Sequence, residues 1–263
     1  MRSAGYAYAV GKIRALEKFL IKREVFEDAV ASTLEEALRF FVESDLYGEE
    51  LLQVRDSAML EQVLEAEASK LKRIVLPLIE EGVLREVLEL KSAEHLYAIA
   101  ERCTSVFLRD FFLHVIDMHN IKTYLRLLLL QEPPERLALS LTCEGFIPRK
   151  ELLGCYGKEH ASFLHRLSYV HKRSRIIDYA HFLKEGIDKA LQDRSFVMLE
   201  SAIQDLLIRL LQPAKRMSFG PEPVVGYYVA KLNEIKLIRM VILAKLNNVS
   251  AGLVEEALHG VYA

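Results

Sequence analysis

Glycine and proline are scarce in this sequence. Its 263 residues include only 12 glycines and 7 prolines, well below the average usage of soluble proteins. An all-β sandwich or barrel needs many tight turns, and these two residue types form a large share of them. The scarcity therefore favours long helices, and we expect an all-α fold.

Cysteine and uninterrupted apolar sequence are also in short supply. Cys103, Cys143 and Cys155 include no CxxC pair, so neither a disulfide framework nor a zinc knuckle is expected. Charged residues such as Asp117 interrupt the richest apolar stretch, which argues against a membrane-spanning helix. The apolar run at residues 6–10 is too short for a signal peptide. We expect a cytoplasmic protein with free thiols.

An excess of positive charge is absent as well. The formal net charge is −2, which argues against a surface that follows nucleic acid phosphates. The best local candidate for contact with phosphate or anionic lipid is the run of His171, Lys172, Arg173 and Arg175. No aromatic ladder accompanies this run, as it does in single-strand binders. We therefore expect no nucleic acid partner.

What the sequence does contain is helical periodicity over nearly its whole length. Apolar residues between Leu60 and Val75 recur at steps of three and four residues, which predicts an amphipathic helix that is disturbed near Pro77. Ser32 and Thr33 precede two glutamates and predict the amino-terminal cap of another helix. We find no alternating strand pattern of useful length.

An internal repeat relates two long helical segments. Six apolar positions of one segment recur in the other at a constant offset of 114 residues, and an isoleucine–lysine pair is shared. We infer that two long helices of the same design each close one module. The first stripe is Phe111, Val115, Met118, Ile121, Tyr124 and Leu128, and the second is Val225, Val229, Leu232, Ile235, Ile238 and Ile242.

The repeat predicts tandem helical-bundle modules related by internal duplication. Pro133 and Pro134 best mark a boundary between them, because consecutive prolines interrupt a helix. We therefore expect a first module at residues 1–131 and a second at residues 132–263. Each module would bury its own apolar stripes.

The sequence contains no recognisable nucleotide-binding motif. The nearest approach to a phosphate cradle is Gly154, Gly157 and Lys158. The first glycine of a P-loop and the serine or threonine after its lysine are both missing. No GxGxxG motif exists either. We expect no cofactor and no catalytic residue.

Several histidines are clustered, yet their spacing does not suit a metal site. His160 and His165 are five residues apart, which on a helix separates them by roughly 140°, so they do not share a face as zinc-binding HExxH histidines do. Nothing local places a base beside Cys155 or another thiol. We expect no metal, and solvated or interfacial histidines on helix flanks. These histidines are His160, His165, His171 and His181, with His114 and His119 earlier in the chain.

Charged residues also stand within the two richest apolar helices. A helix with a single buried stripe carries such residues on its opposite face, where Glu234 would pair with Lys231 and Arg239. The alternative is that this polar face meets another protein, and the sequence leaves both interpretations open. The six charged residues are Asp117, Arg126, Lys231, Glu234, Lys236 and Arg239.

Three segments together resemble a known protein family. They are residues 6–17 (YAYAVGKIRALE), residues 117–126 (DMHNIKTYLR), and residues 220–247, which contain GPEP, GYY, EIK and KLN. The three segments are similar to the C subunit of the V-type and A-type ATPases, whose eukaryotic counterpart is called the d subunit. The resemblance covers both ends and the middle of the chain.

That resemblance implies an all-helical, non-catalytic rotor subunit. Members of the family form a socket on the cytoplasmic face of the membrane rotor ring and receive the foot of the central shaft. They pass torque between the ATP-hydrolysing head and the ring during proton or sodium transport. The implied partners are the shaft subunits and the proteolipid ring. One copy would lie in each complex, peripheral to the membrane.

The length of the chain departs from the family pattern. Family members usually have three modules, so one module looks lost or compressed within residues 131–212, and a closed threefold socket is in doubt. One alternative function is a helical adaptor of the same fold outside the rotary complex. Another is a helical enzyme, which a perturbed ionisation at His165 or Cys155 would indicate.

Overall fold

Helices make up 76% of the structure, which confirms the expected all-α class. The computed structural model of the chain divides into two compact units, one formed by Met1–Arg85 with Ile208–Ala263 and the other by Glu86–Leu207. No helix among the described residues is both long and apolar enough to cross a membrane. The structure describes residues 5–43, 47–89, 92–172, 175–258 and 260–262.

The α-helices are numbered along the chain, and short 3-10 helices lie between several of them. The first seven are α1 (Gly5–Glu17), α2 (Arg23–Ala31), α3 (Leu34–Glu43), α4 (Ser57–Val75), α5 (Gly82–Arg85), α6 (Ala93–Arg102) and α7 (Val106–Leu129). They are followed by α8 (Pro134–Ser140), α9 (Arg149–Cys155), α10 (His160–Ser168), α11 (Ala180–Asp193), α12 (Val197–Leu211), α13 (Glu222–Leu246) and α14 (Ala251–Ala257).

Local sequence signals explain several helix ends. Helix α3 begins with a capping box, because the Glu36 N–H donates to Thr33 Oγ1 at 3.3 Å and the Glu36 carboxylate accepts from the Thr33 N–H at 2.9 Å. Helix α4 begins at the residue after Asp56, whose carboxylate accepts from the Met59 N–H at 2.9 Å. It ends before Pro77, which lies in a 3-10 helix. The predicted cap and the predicted disturbance are both found.

Helix α13 forms the centre of the first unit. It packs against α1, α3 and α4, and 16 of its 25 residues are buried. A helix buried on most sides has no wide polar face. The core around it includes Phe26, Phe41, Leu60, Leu64 and Ile242.

Helix α7 forms the centre of the second unit and packs against α6, α8 and α11. Its Tyr124 ring stacks on the ring of Phe163 at 4.1 Å between centroids. This unit also contains a two-stranded antiparallel hairpin, β1 (Val170–Lys172) and β2 (Arg175–Ile177), in which Val170 pairs with Ile177. The sequence analysis did not predict this hairpin, because strands of three residues are too short to show alternation.

Each unit contains one of the two long helices related by the offset of 114 residues. The compact units group the chain differently from the expected modules at residues 1–131 and 132–263, because α13 packs with helices from the start of the chain. This grouping does not test the ancestry of the segments. The duplication, the two modules and the lost module within residues 131–212 stay predictions.

Candidate functional site: two buried polar clusters

The first polar cluster lies in the middle of α13. Lys231 and Glu234 form a buried ion pair. The Glu234 carboxylate also accepts a hydrogen bond of 2.7 Å from the Ile21 N–H and one of 2.8 Å from the Tyr47 hydroxyl. The Lys231 ammonium lies 4.2 Å from the centre of the Tyr47 ring. The ion pair therefore connects α13 to two segments that lie near the start of the chain.

Burial dominates the ionisation of this first cluster. It lowers the pKa of Lys231, although the charge of Glu234 opposes the change. It also raises the pKa of Tyr47 well above its ordinary value, and the Glu234 charge adds to that increase. Charged groups inside a protein need partners that replace water. The three side chains satisfy one another, and we interpret the cluster as a structural anchor.

This arrangement corrects the expectation for the charged residues of the two long helices. Lys231, Glu234 and Asp117 are buried and do not lie on a surface face. Arg239 does not pair with Glu234, since its Nε donates to the Glu61 carboxylate of α4 at 2.9 Å. The expectation failed because it assumed a single buried stripe on each helix. The two residues that are exposed as expected are Arg126 and Lys236.

The second polar cluster is built around Asp117 in α7. Its carboxylate accepts hydrogen bonds from the N–H groups of Phe146 at 2.9 Å and Ile147 at 3.1 Å, and from the Tyr179 hydroxyl at 2.9 Å. Gly145 passes so close that a Cβ atom there would lie 2.3 Å from Asp117 Oδ1. Asp117 thereby fixes the loop before α9 and the start of α11.

A chain of contacts continues from Tyr179 to the β-hairpin. His114 Nδ1 lies 2.6 Å from the Tyr179 oxygen, and His114 Nε2 lies 3.4 Å from Lys172 Nζ. Lys172 Nζ also lies 3.3 Å from the Asp110 carboxylate. The Tyr179 hydroxyl donates its hydrogen bond to Asp117, so its oxygen can accept one from His114. A neutral His114 therefore donates from Nδ1 to the Tyr179 oxygen and accepts at Nε2 from the Lys172 ammonium. This tautomer satisfies every member of the network.

The ionisation of this second cluster is also set by burial. Burial raises the pKa of Asp117 to about 7, against the opposing effect of its three hydrogen bonds. It lowers the pKa of His114 to about 3, and the charge of Lys172 lowers it further. Shifted pKa values indicate catalysis where a substrate can reach the groups. Asp117 and His114 are buried, so we interpret this cluster as structural too.

The offset of 114 residues relates the two clusters. It places Asp117 on Lys231 and Asn120 on Glu234, and all four residues are buried and polar. Asn120 Nδ2 donates to the Cys143 carbonyl at 2.9 Å, so it holds a loop as Glu234 does. The sequence analysis compared six apolar positions and one shared isoleucine–lysine pair, and did not compare these polar positions. A comparison of polar positions at the same offset is the signal that could have found both clusters.

The histidines occupy different surroundings. His114 is buried, contrary to the expectation of histidines on helix flanks. His160 Nε2 lies 2.7 Å from the Asp188 carboxylate, and the His165 ring lies 5.0 Å from the Tyr169 ring. In the part of the chain that the structure describes, no three His, Cys, Asp or Glu side chains are grouped so that they could hold a metal ion.

The cysteines show no sign of activation. Burial raises the pKa of Cys155 and of Cys143, whereas a nucleophilic cysteine needs a lowered pKa. Cys103 is buried as well. Gly157, from the weak glycine motif, adopts a φ of 72° in the turn after α9, and Gly154 lies within that helix. These positions therefore give no support to the enzyme alternative.

The basic run proposed for phosphate or lipid contact is only partly on the surface. His171 is exposed, but Lys172 is directed to Asp110 and its ammonium lies 5.4 Å from the centre of the Phe146 ring. Arg173 lies outside the described residues. One of the three strong bases of the run is thus used inside the second unit.

Comparison with known proteins assigns the family. Residues 49–257 match the family model of the ATP synthase (C/AC39) subunit, a segment that contains both long helices. The chain belongs to this family. A curated relative, the C subunit of the V-type sodium ATPase of Enterococcus hirae, is 31% identical over 147 residues, which is 56% of this chain. The alignment covers 42% of that relative, so the chain spans less than half of its length.

Two of the three segments that suggested the C/AC39 family lie within the matched residues. They are residues 117–126 in α7 and residues 220–247, which include α13. The opening segment, residues 6–17, precedes the match. Asp117, Lys231 and Glu234 therefore lie in the part of the chain that the family model matches, whereas α1 and two partners of Glu234, Ile21 and Tyr47, lie before it.

Proposed function

We propose that this member of the C/AC39 family is a non-catalytic part of the central stalk of a V/A-type rotary ATPase. In this role it forms a socket that couples the central shaft to the membrane proteolipid ring, during either ATP-driven or ATP-forming transport of protons or sodium. One copy acts in each complex, at the cytoplasmic side of the membrane. The observation that carries the proposal is the family match over residues 49–257.

The anchoring of the long helices supports a mechanical role. Torque transmission needs a stiff body, and closely packed interiors have low compressibility. Glu234 ties α13 to Ile21 and Tyr47 through hydrogen bonds of 2.7 and 2.8 Å. Asp117 ties α7 to its neighbouring loop and to Tyr179. Each unit thus has a long central helix that is fixed by directional contacts as well as by apolar packing.

The same residues support a role without catalysis. Asp117 and His114 have strongly shifted pKa values, yet both are buried and bonded to other groups of the protein. The recess of about 260 Å³ between α2, α13 and α14 has Lys245 as its one titratable lining residue. The Lys245 ammonium donates to the carbonyls of Val30 and Ser32. A coupling subunit needs binding surfaces and no general base.

A second candidate is a helical adaptor of the same fold that works outside the rotary complex. The observation that favours it is the coverage of 42% of the Enterococcus hirae relative. The alignment leaves more than half of that relative without a match, so this relative does not by itself support both a shaft contact and a ring contact. The two candidates predict different companions in the cell.

Purification from native membranes tests the proposal. The full chain carries an affinity tag, the membranes are dissolved in a mild detergent, and the bound proteins are quantified by mass spectrometry. A rotor subunit brings the shaft and proteolipid chains in a constant proportion across several detergents. Recovery of other proteins in a fixed ratio, with neither shaft nor ring, would contradict the rotor role and support the adaptor.

A further inference from the structure

The second polar cluster connects a buried carboxyl group to an amine that reaches the surface. Asp117 Oδ2 lies 2.9 Å from the Tyr179 oxygen, which lies 2.6 Å from His114 Nδ1. His114 Nε2 in turn lies 3.4 Å from Lys172 Nζ. Asp117 is fully buried, whereas 26% of the Lys172 side chain is exposed. These four side chains are named the relay.

Among the three buried members of the relay, Asp117 is the group that titrates near neutral pH. Burial raises the pKa of Asp117 to about 7 and lowers the pKa of His114 to about 3. Burial and the charge of Asp117 raise the pKa of Tyr179 well above its ordinary value. Near neutral pH, Tyr179 and the His114 ring therefore each keep one proton, while Asp117 changes between carboxylate and acid.

Few charged groups of the surrounding elements face Asp117. Among the described residues, Tyr179 at the start of α11 is the titratable side chain that acts directly on its ionisation. Helix α6 carries the half-buried Tyr97 and His95, and His95 lies 3.4 Å from Glu86. The charged or titratable residues that are exposed on the helices packed against α7 are Glu94, Glu101 and Arg102 on α6, Glu135 and Arg136 on α8, and His181, Lys184 and Glu185 on α11.

Protonation of Asp117 reverses the direction of the hydrogen bonds in the relay. Two of the three groups bonded to Asp117 are backbone N–H groups, so the Tyr179 oxygen is the partner that can accept from the protonated acid. The Tyr179 hydroxyl then donates to His114 Nδ1, and the neutral ring carries its proton on Nε2. A buried donor left without an acceptor is costly, so the reversal extends along the whole relay.

The reversal ends at the β-hairpin. While Asp117 is ionised, His114 Nε2 accepts from the Lys172 ammonium. A protonated Nε2 cannot accept, so Lys172 loses this contact. It keeps the Asp110 carboxylate at 3.3 Å and the ring of Phe146, whose centre lies 5.4 Å from Nζ. Because Lys172 belongs to β1, the protonation of a buried carboxyl changes how the hairpin is held against α7.

We propose that Asp117 is a buried proton-binding site whose occupancy is transmitted through Tyr179 and His114 to the β-hairpin. The protons balance along the relay. Lys172 gives a proton to His114 Nε2 and recovers one from water. His114 Nδ1 gives its proton to Tyr179, and Tyr179 gives its own to Asp117. The proposal concerns this unit alone and does not require the rotor role.

Nuclear magnetic resonance of the full chain tests the proposal. Nitrogen-15 shifts of the histidine rings show which ring nitrogen carries a proton, and the signals of His114 are assigned by their loss in His114→Gln. Carbon-13 shifts of the carboxyl groups follow Asp117 in the same samples, from about pH 5 to about pH 9. As the pH falls, we expect the His114 proton to move from Nδ1 to Nε2 at the midpoint of the Asp117 titration.

Two matched variants locate the transmission. Tyr179→Phe removes the hydroxyl between Asp117 and His114, so the His114 proton should stay on Nδ1 over the whole range. Tyr169→Phe removes the hydroxyl of a tyrosine that is 49% exposed next to the hairpin, and the change should persist. A His114 proton that stays on one nitrogen in the natural chain, or that moves at a different midpoint from Asp117, would overturn the proposal. A change that survives in Tyr179→Phe would overturn it as well.

Hydrogen exchange of the backbone amides in β1 and β2 measures the effect on the hairpin. After correction for the intrinsic dependence of exchange on pH, protection should be about threefold lower when Asp117 is protonated, as expected for the loss of one weak hydrogen bond. The difference should be absent in Lys172→Met, which lacks the ammonium in both states. Equal protection of the natural hairpin in the two states would contradict transmission to the hairpin.

Discussion

Replacement of Lys231 by methionine is the sharpest test of the first buried cluster. The Lys231→Met side chain has a similar volume but no charge, so the Glu234 carboxylate stays buried without its cationic partner. Removal of one member of a buried ion pair costs about 3–5 kcal/mol of the free energy of unfolding. The remaining donors, the Ile21 N–H and the Tyr47 hydroxyl, are neutral. We therefore expect a loss within that range.

A second substitution separates loss of charge balance from loss of packing. In the double variant Lys231→Met with Glu234→Gln neither member of the pair is charged, and the amide oxygen can still accept from the Ile21 N–H. Exchange of charged for neutral hydrogen bonds costs about 1–3 kcal/mol. The double variant should therefore unfold at a higher urea concentration than Lys231→Met alone. The effects of the two substitutions should therefore not add up, because Lys231 and Glu234 are in direct contact.

Equilibrium unfolding in urea, followed by far-ultraviolet circular dichroism, provides the measurement. Lys236→Met is the matched control, because Lys236 is exposed on the same helix, and we expect a change below about 1 kcal/mol. A Lys231→Met variant as stable as the control would refute the reasoning. A double variant whose loss of unfolding free energy equals the losses of Lys231→Met and Glu234→Gln added together would refute it as well.

Two further predictions concern the second unit and use the same urea assay. Gly186→Ala places a Cβ atom 2.6 Å from the Leu199 Cα and should lower the free energy of unfolding by about 1–3 kcal/mol. The control Gly154→Ala meets no atom within 4 Å and should stabilise its helix by about 0.5–1 kcal/mol. Equal effects of the two substitutions would refute the close approach of Gly186 to Leu199. Asp117 has a pKa raised to about 7, so its contribution to stability falls as the pH rises from the ordinary pKa of aspartate toward 7. His114 has a pKa lowered to about 3, so its contribution to stability rises as the pH increases from about 3 to the ordinary pKa of histidine. Asp117→Asn should therefore gain stability with pH more steeply than the natural chain below neutral pH, and parallel profiles would show that Asp117 does not titrate as described.

The sequence was sufficient to predict the fold class and several helix ends. The scarcity of turn residues, the apolar steps from Leu60 to Val75 and the cap at Thr33 are local signals, and local interactions decide where helices begin and end. Pro77 is equally local, because its ring blocks the preceding turn. These features do not depend on how distant segments pack.

The buried clusters could not be predicted in the same way. The hydrogen bond between Tyr47 and Glu234 joins residues that are 187 positions apart, and only tertiary packing brings them together. The helical period of α13 gave one apolar stripe, whereas the structure buries the helix on most sides, so Lys231 and Glu234 were assigned to a surface they do not reach. Tyr179 was not singled out because its role depends on Asp117 across the unit.

The central claim is that this chain transmits torque and performs no chemistry of its own. Membrane vesicles that contain the complex allow ATP hydrolysis and ATP-driven ion uptake to be measured side by side, before and after selective removal of this protein. The claim predicts that hydrolysis by the head continues without it, that ion uptake stops, and that uptake returns when the purified chain is added back. Ion uptake that is unchanged by the removal would contradict it.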